Sequence, residues 1–366
     1  MKNFFKGVVL AFAGLSFLAA CSDQEEEKIV NVYNWSDYID EEILKEFEAE
    51  TGIKVVYDVF DSNDVLETKL LAGKTGYDVV VPSGAFLSRQ IKAGVFAKLD
   101  KEKLLNLKNM WGVVSSRTAI YDPGNEHSIN YMWGTTGIGY NVGKISERMA
   151  DAPVTSWDMI FNPAIVSKFK DCGVYMLDAG DEMIPAALNY IGENPDSKDV
   201  AVIAKAEVVL AAIRPFVTKY HSSEYIDALA NGDICLAVGW SGDVLQARDR
   251  AAEADNGVEV AYVAPDEGAL MWFDQMAIPA DAPHPGNAHK FLDYIMRAEV
   301  MAKASNYVYY ANGNLASQKL LNEDVIGDPA IYPTEAALKT LYTTTAYDEV
   351  SQPVVTRIWT KVKSGQ

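Results

Sequence analysis

Histidine and cysteine are scarce in this chain, with four of the first and three of the second among 366 residues. His127, His221, His284 and His289 stand apart, without the spacing that builds a metal site, and the cysteines form no short-interval ligand pair. Capture of iron by tyrosines and a histidine is therefore a poor reading of the many tyrosines, which read better as wall and core. Basic charge is also short: 32 lysines and arginines face 51 aspartates and glutamates. A net charge of −19 repels nucleic acid and anionic lipid and draws in small cations. Gly137-Ile138-Gly139 lacks the third glycine of a dinucleotide fingerprint. Gly239-Trp240-Ser241-Gly242-Asp243 begins like a hydrolase elbow but ends on aspartate where the closing glycine is required. His221 beside Ser222 is adjacency, not a dyad. No enzyme chemistry and no cofactor is expected.

Only one long apolar run is present, Val8 to Leu18, preceded by Lys2 and Lys6 and closed by Leu18-Ala19-Ala20-Cys21. The run is short for a membrane span and reads as an export signal over residues 1–20. Leu-Ala-Ala-Cys has the form of a lipobox, in which Cys21 becomes the lipidated N-terminus; an ordinary signal with an incidental cysteine is the alternative. Residues 21–27 read as an acidic tether, with folded structure beginning near Lys28. Removal of Cys21 from the count leaves Cys172 and Cys235, an even pair in an oxidising compartment, and a disulfide is expected over two buried thiols. Its loop would contribute about 4 kcal/mol in the chain-entropy account.

The body reads as alternating strands and helices. Lys28 to Tyr33 is a strand, and a helix follows with Asp40 as N-cap, Glu41 and Glu42 at its positive end, and Ile43, Leu44 and Phe47 on one face. Gly52 ends it before a strand at Ile53 to Phe60. The unit repeats, with Val65, Leu66, Lys69 and Leu70 on a helix from Ser62 to Ala72 and a strand from Tyr77 to Val81. Later strands are expected at Ile234 to Val238 and Gln275 to Pro279, then a helix from Ala288 to Arg297. Such alternation predicts an α/β chain with a largely parallel sheet covered on both faces, whose ligand sits beyond the carboxyl ends of the strands.

The loops there carry acid and aromatic side chains together: Trp35, Asp37 and Tyr38; Trp240 and Asp243; Trp272, Phe273 and Asp274. A polyamine, two or more ammonium groups on methylene chains, needs carboxylates at its ends and flat apolar walls between them. Aspartates after strands are usually helix caps and tryptophans usually core, so this pattern leaves the ligand open.

Longer stretches decide it. Tyr33 to Tyr38, Phe47 to Asn63, Tyr77 to Ser83, Tyr131 to Asn141, Ala230 to Trp240, Tyr309 to Asn312 and Trp359 to Gly365 together resemble the periplasmic polyamine-binding proteins of bacterial ABC transporters, the putrescine-binding ones above all. The resemblance covers nearly the whole body in order. It implies a two-lobed periplasmic-binding-protein fold of type II, each lobe a mixed sheet flanked by helices, with the ligand in the cleft between them. Residues 28–134 with about 255–302 would form the first lobe, and 135–254 with about 303–366 the second.

Carried over motif by motif, the resemblance puts Trp35, Ser36, Asp37, Tyr38 and Ser83 in the pocket. It adds Glu182, Ser222, Trp240 and Asp243, and then Trp272, Asp274 and Tyr310. Asp243 and Asp274 would hold one ammonium and Glu182 or Asp37 would assist at the other, with the three tryptophans as walls. Asp181 is the alternative to Glu182, because the match is loose there. Cys172 and Cys235 fall where the family places a disulfide. Trp272, bulkier than a phenylalanine, would shorten the channel and favour putrescine over spermidine. The implied partners are putrescine or a related polyamine and the membrane permease of an ABC transporter, with no nucleic acid, contact with membrane through the lipid anchor alone, and a monomeric state. A sensor reporting to a membrane receptor would use the same closure.

Overall fold

The computed structural model of the chain describes residues 26–365. The expected export signal, the lipidation residue Cys21 and most of the expected tether lie outside them. Glu26 does not behave as tether. Its carboxylate accepts hydrogen bonds from the backbone N–H groups of Gly286 and Asn287, both at 2.9 Å, at the start of a helix whose first residue, Pro285, has no N–H to offer.

Ten strands form one mixed sheet. They are β1 (Ile29–Trp35), β2 (Lys54–Phe60), β3 (Val79–Val80), β4 (Ser128–Asn141), β5 (Val174–Met176), β6 (Lys219–Tyr220), β7 (Leu236–Trp240), β8 (Val260–Val263), β9 (Leu270–Ala277) and β10 (Ala311–Asn312). The order is β2-β1-β3-β9-β4-β7-β5-β6, with β8 and β10 also on β4. Pairing is parallel among β1, β2 and β3 and among β5, β6 and β7, as alternation with helices predicts. The middle departs from that expectation, because β4 and β9 run antiparallel to each other and to their neighbours. Fourteen residues long and almost wholly buried, β4 passes from one core to the other, carrying Ile129 and Tyr131 in the first and Ile138 in the second.

The helices that matter to the site are α1 (Glu41–Thr51), α2 (Asn63–Ala72), α3 (Gly84–Lys92), α4 (Gly180–Tyr190), α5 (Val200–Ile213), α6 (Ser241–Ala254), α7 (Pro285–Ile295), α8 (Ala298–Val308) and α9 (Gln352–Ser364). Helix α1 forms as its sequence predicts. Asp40 accepts from the N–H of Glu42 at 2.9 Å, Ile43, Leu44 and Phe47 are buried, and Gly52 ends the helix at φ 67°, a conformation costly for a side chain bearing Cβ. In α2 only Leu66 and Leu70 of the expected apolar face are buried, while Val65 is exposed.

Two main cores result. One gathers Val32, Phe47, Leu66 and Val80 with Met276, Phe291, Met301 and Val308. The other gathers Trp157, Phe169, Met183, Ile203, Tyr225, Val238 and Val244 with Ile358 and Trp359. A smaller cluster of Val114, Tyr121, Trp133, Met271 and Phe273 joins them where β4 and β9 cross. The packing departs from the expected boundaries near 255 and 302. Val260 belongs to the second core because β8 pairs with β4 at Ile138–Asn141, and the face of α8 carrying Met301, Ala304 and Val308 closes the first. Cys172 and Cys235 are bridged, with Cα atoms 5.5 Å apart, tying the chain before β5 to the start of β7 inside the second core.

Candidate functional site

Between the cores lies a cleft enclosing about 340 Å³ of space between side chains, part of it open to solvent. Each wall comes from the end of an element. The carboxyl end of β1 delivers Trp35, Ser36 and Tyr38, and Ser83 stands at the N-cap of α3. The first turn of α4 carries Glu182, and the first turn of α6 carries Asp243, just after Trp240 at the end of β7. Strand β9 adds Trp272 and Asp274, two residues apart and so on one face, and Tyr310 follows α8.

The three carboxylates are buried and held by hydroxyl and indole donors. Asp274 accepts from Tyr38 Oη at 2.8 Å and Ser83 Oγ at 2.6 Å. Asp243 accepts from Tyr225 Oη at 2.8 Å and Tyr310 Oη at 2.6 Å. Glu182 accepts from Trp240 Nε1, at 3.0 and 3.1 Å to its two oxygens, and from Thr136 Oγ1. Among the described residues no lysine, arginine or histidine pairs with any of the three. Burial pushes Asp243 and Asp274 up to about 7, against the pull of their hydroxyl donors and, for Asp243, of the more distant Arg250. Glu182 is raised by burial and then by the adjacent charge of Asp181.

The apolar walls are edge-on aromatic pairs: Trp35 against Trp240 at 5.4 Å, Tyr38 against Tyr310 at 5.2 Å, and Trp272 against Tyr310 at 5.3 Å. Buried carboxylates between flat rings, with no lysine, arginine or histidine paired to them among the described residues, form a receptor for a small organic cation. Among the described residues no group of three or more His, Cys, Asp or Glu is placed to hold a metal ion.

Residues 42–334 match the bacterial extracellular solute-binding protein family. The chain belongs to that family. This solute-binding protein is 50% identical to the putrescine-binding periplasmic protein SpuD of Pseudomonas aeruginosa, over 100% of both chains. It is also 50% identical to the putrescine-binding periplasmic protein PotF of Escherichia coli, over 93% of each. Among solved structures, the spermidine/putrescine ABC transporter substrate-binding protein PotD of Streptococcus pneumoniae superposes with a TM-score of 0.74 at 28% identity, covering 93% of this chain and 99% of that one.

Ten of the twelve pocket residues expected for this solute-binding protein line the one cavity. Asp37 does not. Trp35 and Tyr38 take the inward positions, and Asp37, at φ 53° between them, turns outward to pair with Arg250 at 2.7 Å, 38% exposed. Ser222 does not line it either; buried beneath the cleft, its Oγ accepts from the N–H of Asp178 at 3.1 Å and pins the turn before α4. Of the Asp181 and Glu182 alternatives, Glu182 faces the main cavity and Asp181 an adjoining one. His221 caps its own turn, its Nδ1 accepting from the N–H groups of Ser223 and Glu224, both at 3.1 Å.

Tyr225 and Thr136 were not legible as site residues, since each acts from behind a carboxylate. One signal, Gly239, bears on Tyr225, and none bears on Thr136. The glycines of Gly-Trp-Ser-Gly-Asp have no room for Cβ: it would meet the Tyr225 ring at 2.5 Å from position 239 and the Tyr310 ring at 2.5 Å from position 242.

Proposed function

We propose that this solute-binding protein captures a small diamine, putrescine foremost, in the cleft between its two cores and delivers it to the permease of an ABC transporter. The observation that carries the reading is the pair Asp243 and Asp274. Each is buried and doubly hydrogen-bonded by hydroxyls, and among the described residues no basic side chain pairs with either in a cavity walled by Trp35, Trp240 and Trp272. Two relatives that are half identical to this chain are named for putrescine, which supports the same ligand here.

In this reading Asp243 and Asp274 hold one ammonium and Glu182 receives the other, while the indoles pack along the methylenes. The two cores act as lobes that close around the ligand, hinged where β4 and β9 cross. The chain is exported, anchored through Cys21 and monomeric, and it performs no chemistry on the amine. No helix among the described residues is long and apolar enough to cross a membrane.

Calorimetry of the purified protein with putrescine, cadaverine, agmatine and spermidine tests the reading. At least one should bind tightly, with putrescine ahead of spermidine; affinity weaker than about 1 mM for all four, roughly −4 kcal/mol, would remove it.

A further inference from the structure

Ser83 and Asp274 stand opposite each other in an isolated antiparallel bridge, beside which the N–H of Gln275 donates to the carbonyl oxygen of Pro82 at 3.0 Å. Their side chains meet by register, and Ser83 Oγ lies 2.6 Å from Asp274 Oδ1. Which of the two supplies the hydrogen is settled one residue further out. Asn63, the first residue of α2 and 7% exposed, faces Ser83 with both ends of its amide. The backbone N–H of Ser83 can only donate, so the amide atom 3.1 Å from it is the oxygen Oδ1. The other end is then Nδ2, which can only donate, and it does so to Ser83 Oγ at 3.0 Å. Asp274 is thereby the one acceptor left for the Ser83 hydroxyl among the described residues, and the hydrogen between them belongs to Ser83.

At Asp243 the main chain performs the same task. Tyr225 Oη accepts from the N–H of Trp240 at 3.0 Å and Tyr310 Oη from the N–H of Asp243 at 3.1 Å, so both phenol hydrogens are left for the carboxylate. Behind Tyr38, the second donor to Asp274, no such N–H stands among the described residues. Asp274 thus receives one directed hydrogen, and a side chain directs it.

We propose that Asn63 is a positioning residue for amine binding, which holds the Ser83 hydrogen on Asp274 and so keeps that carboxylate charged and ready to accept from an ammonium. The inference rests on the amine-binding reading above. Without the amide, the Ser83 hydroxyl is free to turn and accept from a protonated Asp274, a neutral group that offers the ligand no charge. Facing Asp274 are Tyr38 after β1, Glu182 in α4, Asp243 in α6 and Tyr310 after α8, with Asp181 and Tyr121 bordering the adjoining space; no lysine, arginine or histidine lines either space among the described residues. Burial favours a protonated Asp274, and the hydrogen bonds from Ser83 and then Tyr38 oppose it.

Putrescine calorimetry on the purified protein from pH 6 to pH 8 tests this. Asn63→Ala should weaken binding by about fivefold at pH 7, the scale of one hydrogen bond. The loss should be larger at pH 6 than at pH 8, because an undirected Asp274 takes up its proton at higher pH. In a Ser83→Ala background the same change should have no further effect, since no hydroxyl remains to direct. Asn63→Asp, of the same size, keeps an acceptor for the Ser83 N–H and loses the donor; it should show the same pH-dependent loss, which keeps the test standing if the alanine variant folds poorly by circular dichroism. A loss equal at pH 6 and pH 8, a loss undiminished in the Ser83→Ala background, or unchanged affinity in both variants overturns the proposal and leaves the amine reading intact. Absence of binding by any amine in the native protein overturns the reading and this proposal together.

Discussion

Tyr310 donates its hydroxyl to Asp243 Oδ1 at 2.6 Å across 67 residues of sequence, and its ring lies where a side chain at position 242 would have to be. Orientation of the carboxylate and absence of a side chain at Gly242 are thus one arrangement. A methyl at position 242 would meet the ring at 2.5 Å and the carbonyl oxygen of Val308 at 2.6 Å, neither able to yield cheaply. Gly242→Ala should cost about 1–3 kcal/mol of stability by denaturant unfolding and weaken amine binding with it. Unchanged affinity and stability would show that Tyr310 does not set the carboxylate.

Asp243→Asn keeps the shape and removes the charge. Loss of one partner of a buried charged pair costs about 2–5 kcal/mol, so putrescine affinity should fall by roughly 30-fold or more. Tyr310→Phe, which removes one of two donors and leaves the charge, should cost only about 1–2 kcal/mol. Calorimetry on both variants checks the order, and an equal loss would contradict it.

Trp272 stands against Tyr310 at one end of the cavity, with its edge 2.7 Å from where a Cβ on Gly134 would be. Trp272→Phe enlarges that end, so the ratio of spermidine to putrescine affinity should rise by about tenfold, the scale of a pocket contact worth 1–3 kcal/mol. A ratio that stays fixed would place the length limit elsewhere.

The Asp37–Arg250 pair bridges the two sides of the cleft at 2.7 Å, and both side chains are more than a third exposed. Exposed pairs contribute about 0–1 kcal/mol. Asp37→Asn should therefore change putrescine affinity by no more than about fivefold, with the effect in the release rate by stopped-flow fluorescence. A loss as large as that of Asp243→Asn would return Asp37 to the ligand site.

Burial holds Asp243 and Asp274 up to about 7, above the ordinary carboxylate value expected once the cleft opens to water. Protonation then favours the closed form below the open-form value, and that advantage is lost as pH rises through about 7. The ligand-free protein should accordingly be more compact at pH 5 than at pH 8 by small-angle scattering. A radius of gyration independent of pH would show that the two carboxylates do not govern opening.

Local order was written plainly in the chain. The Asp40 cap, the Ile43, Leu44 and Phe47 face, the Gly52 stop and the parallel strands around them depend on spacings of a few residues, which periodicity and capping chemistry report directly. The long crossing strands were less legible, because β4 is buried from end to end and has no alternation to show where one core yields to the next. In the site, Trp35, Tyr38 and Trp240 could be named from strand ends and from family resemblance, whereas Trp272 and Asp274, expected in a loop before a strand at Gln275, lie inside β9 and were named by the resemblance. The outward turn of Asp37 could not, since it depends on Arg250, more than two hundred residues further along.

Acid and indole near strand ends were compatible with an organic cation but left the ligand open, and it was the resemblance of longer stretches to polyamine-binding proteins that named its chemical kind. Which carboxylates stand bare and which are satisfied was decided only by the folded chain, since desolvation and pairing depend on what lies opposite in space. Asp37 found a guanidinium there, and Asp243, Asp274 and Glu182 found hydroxyls and an indole that orient their charge without neutralising it.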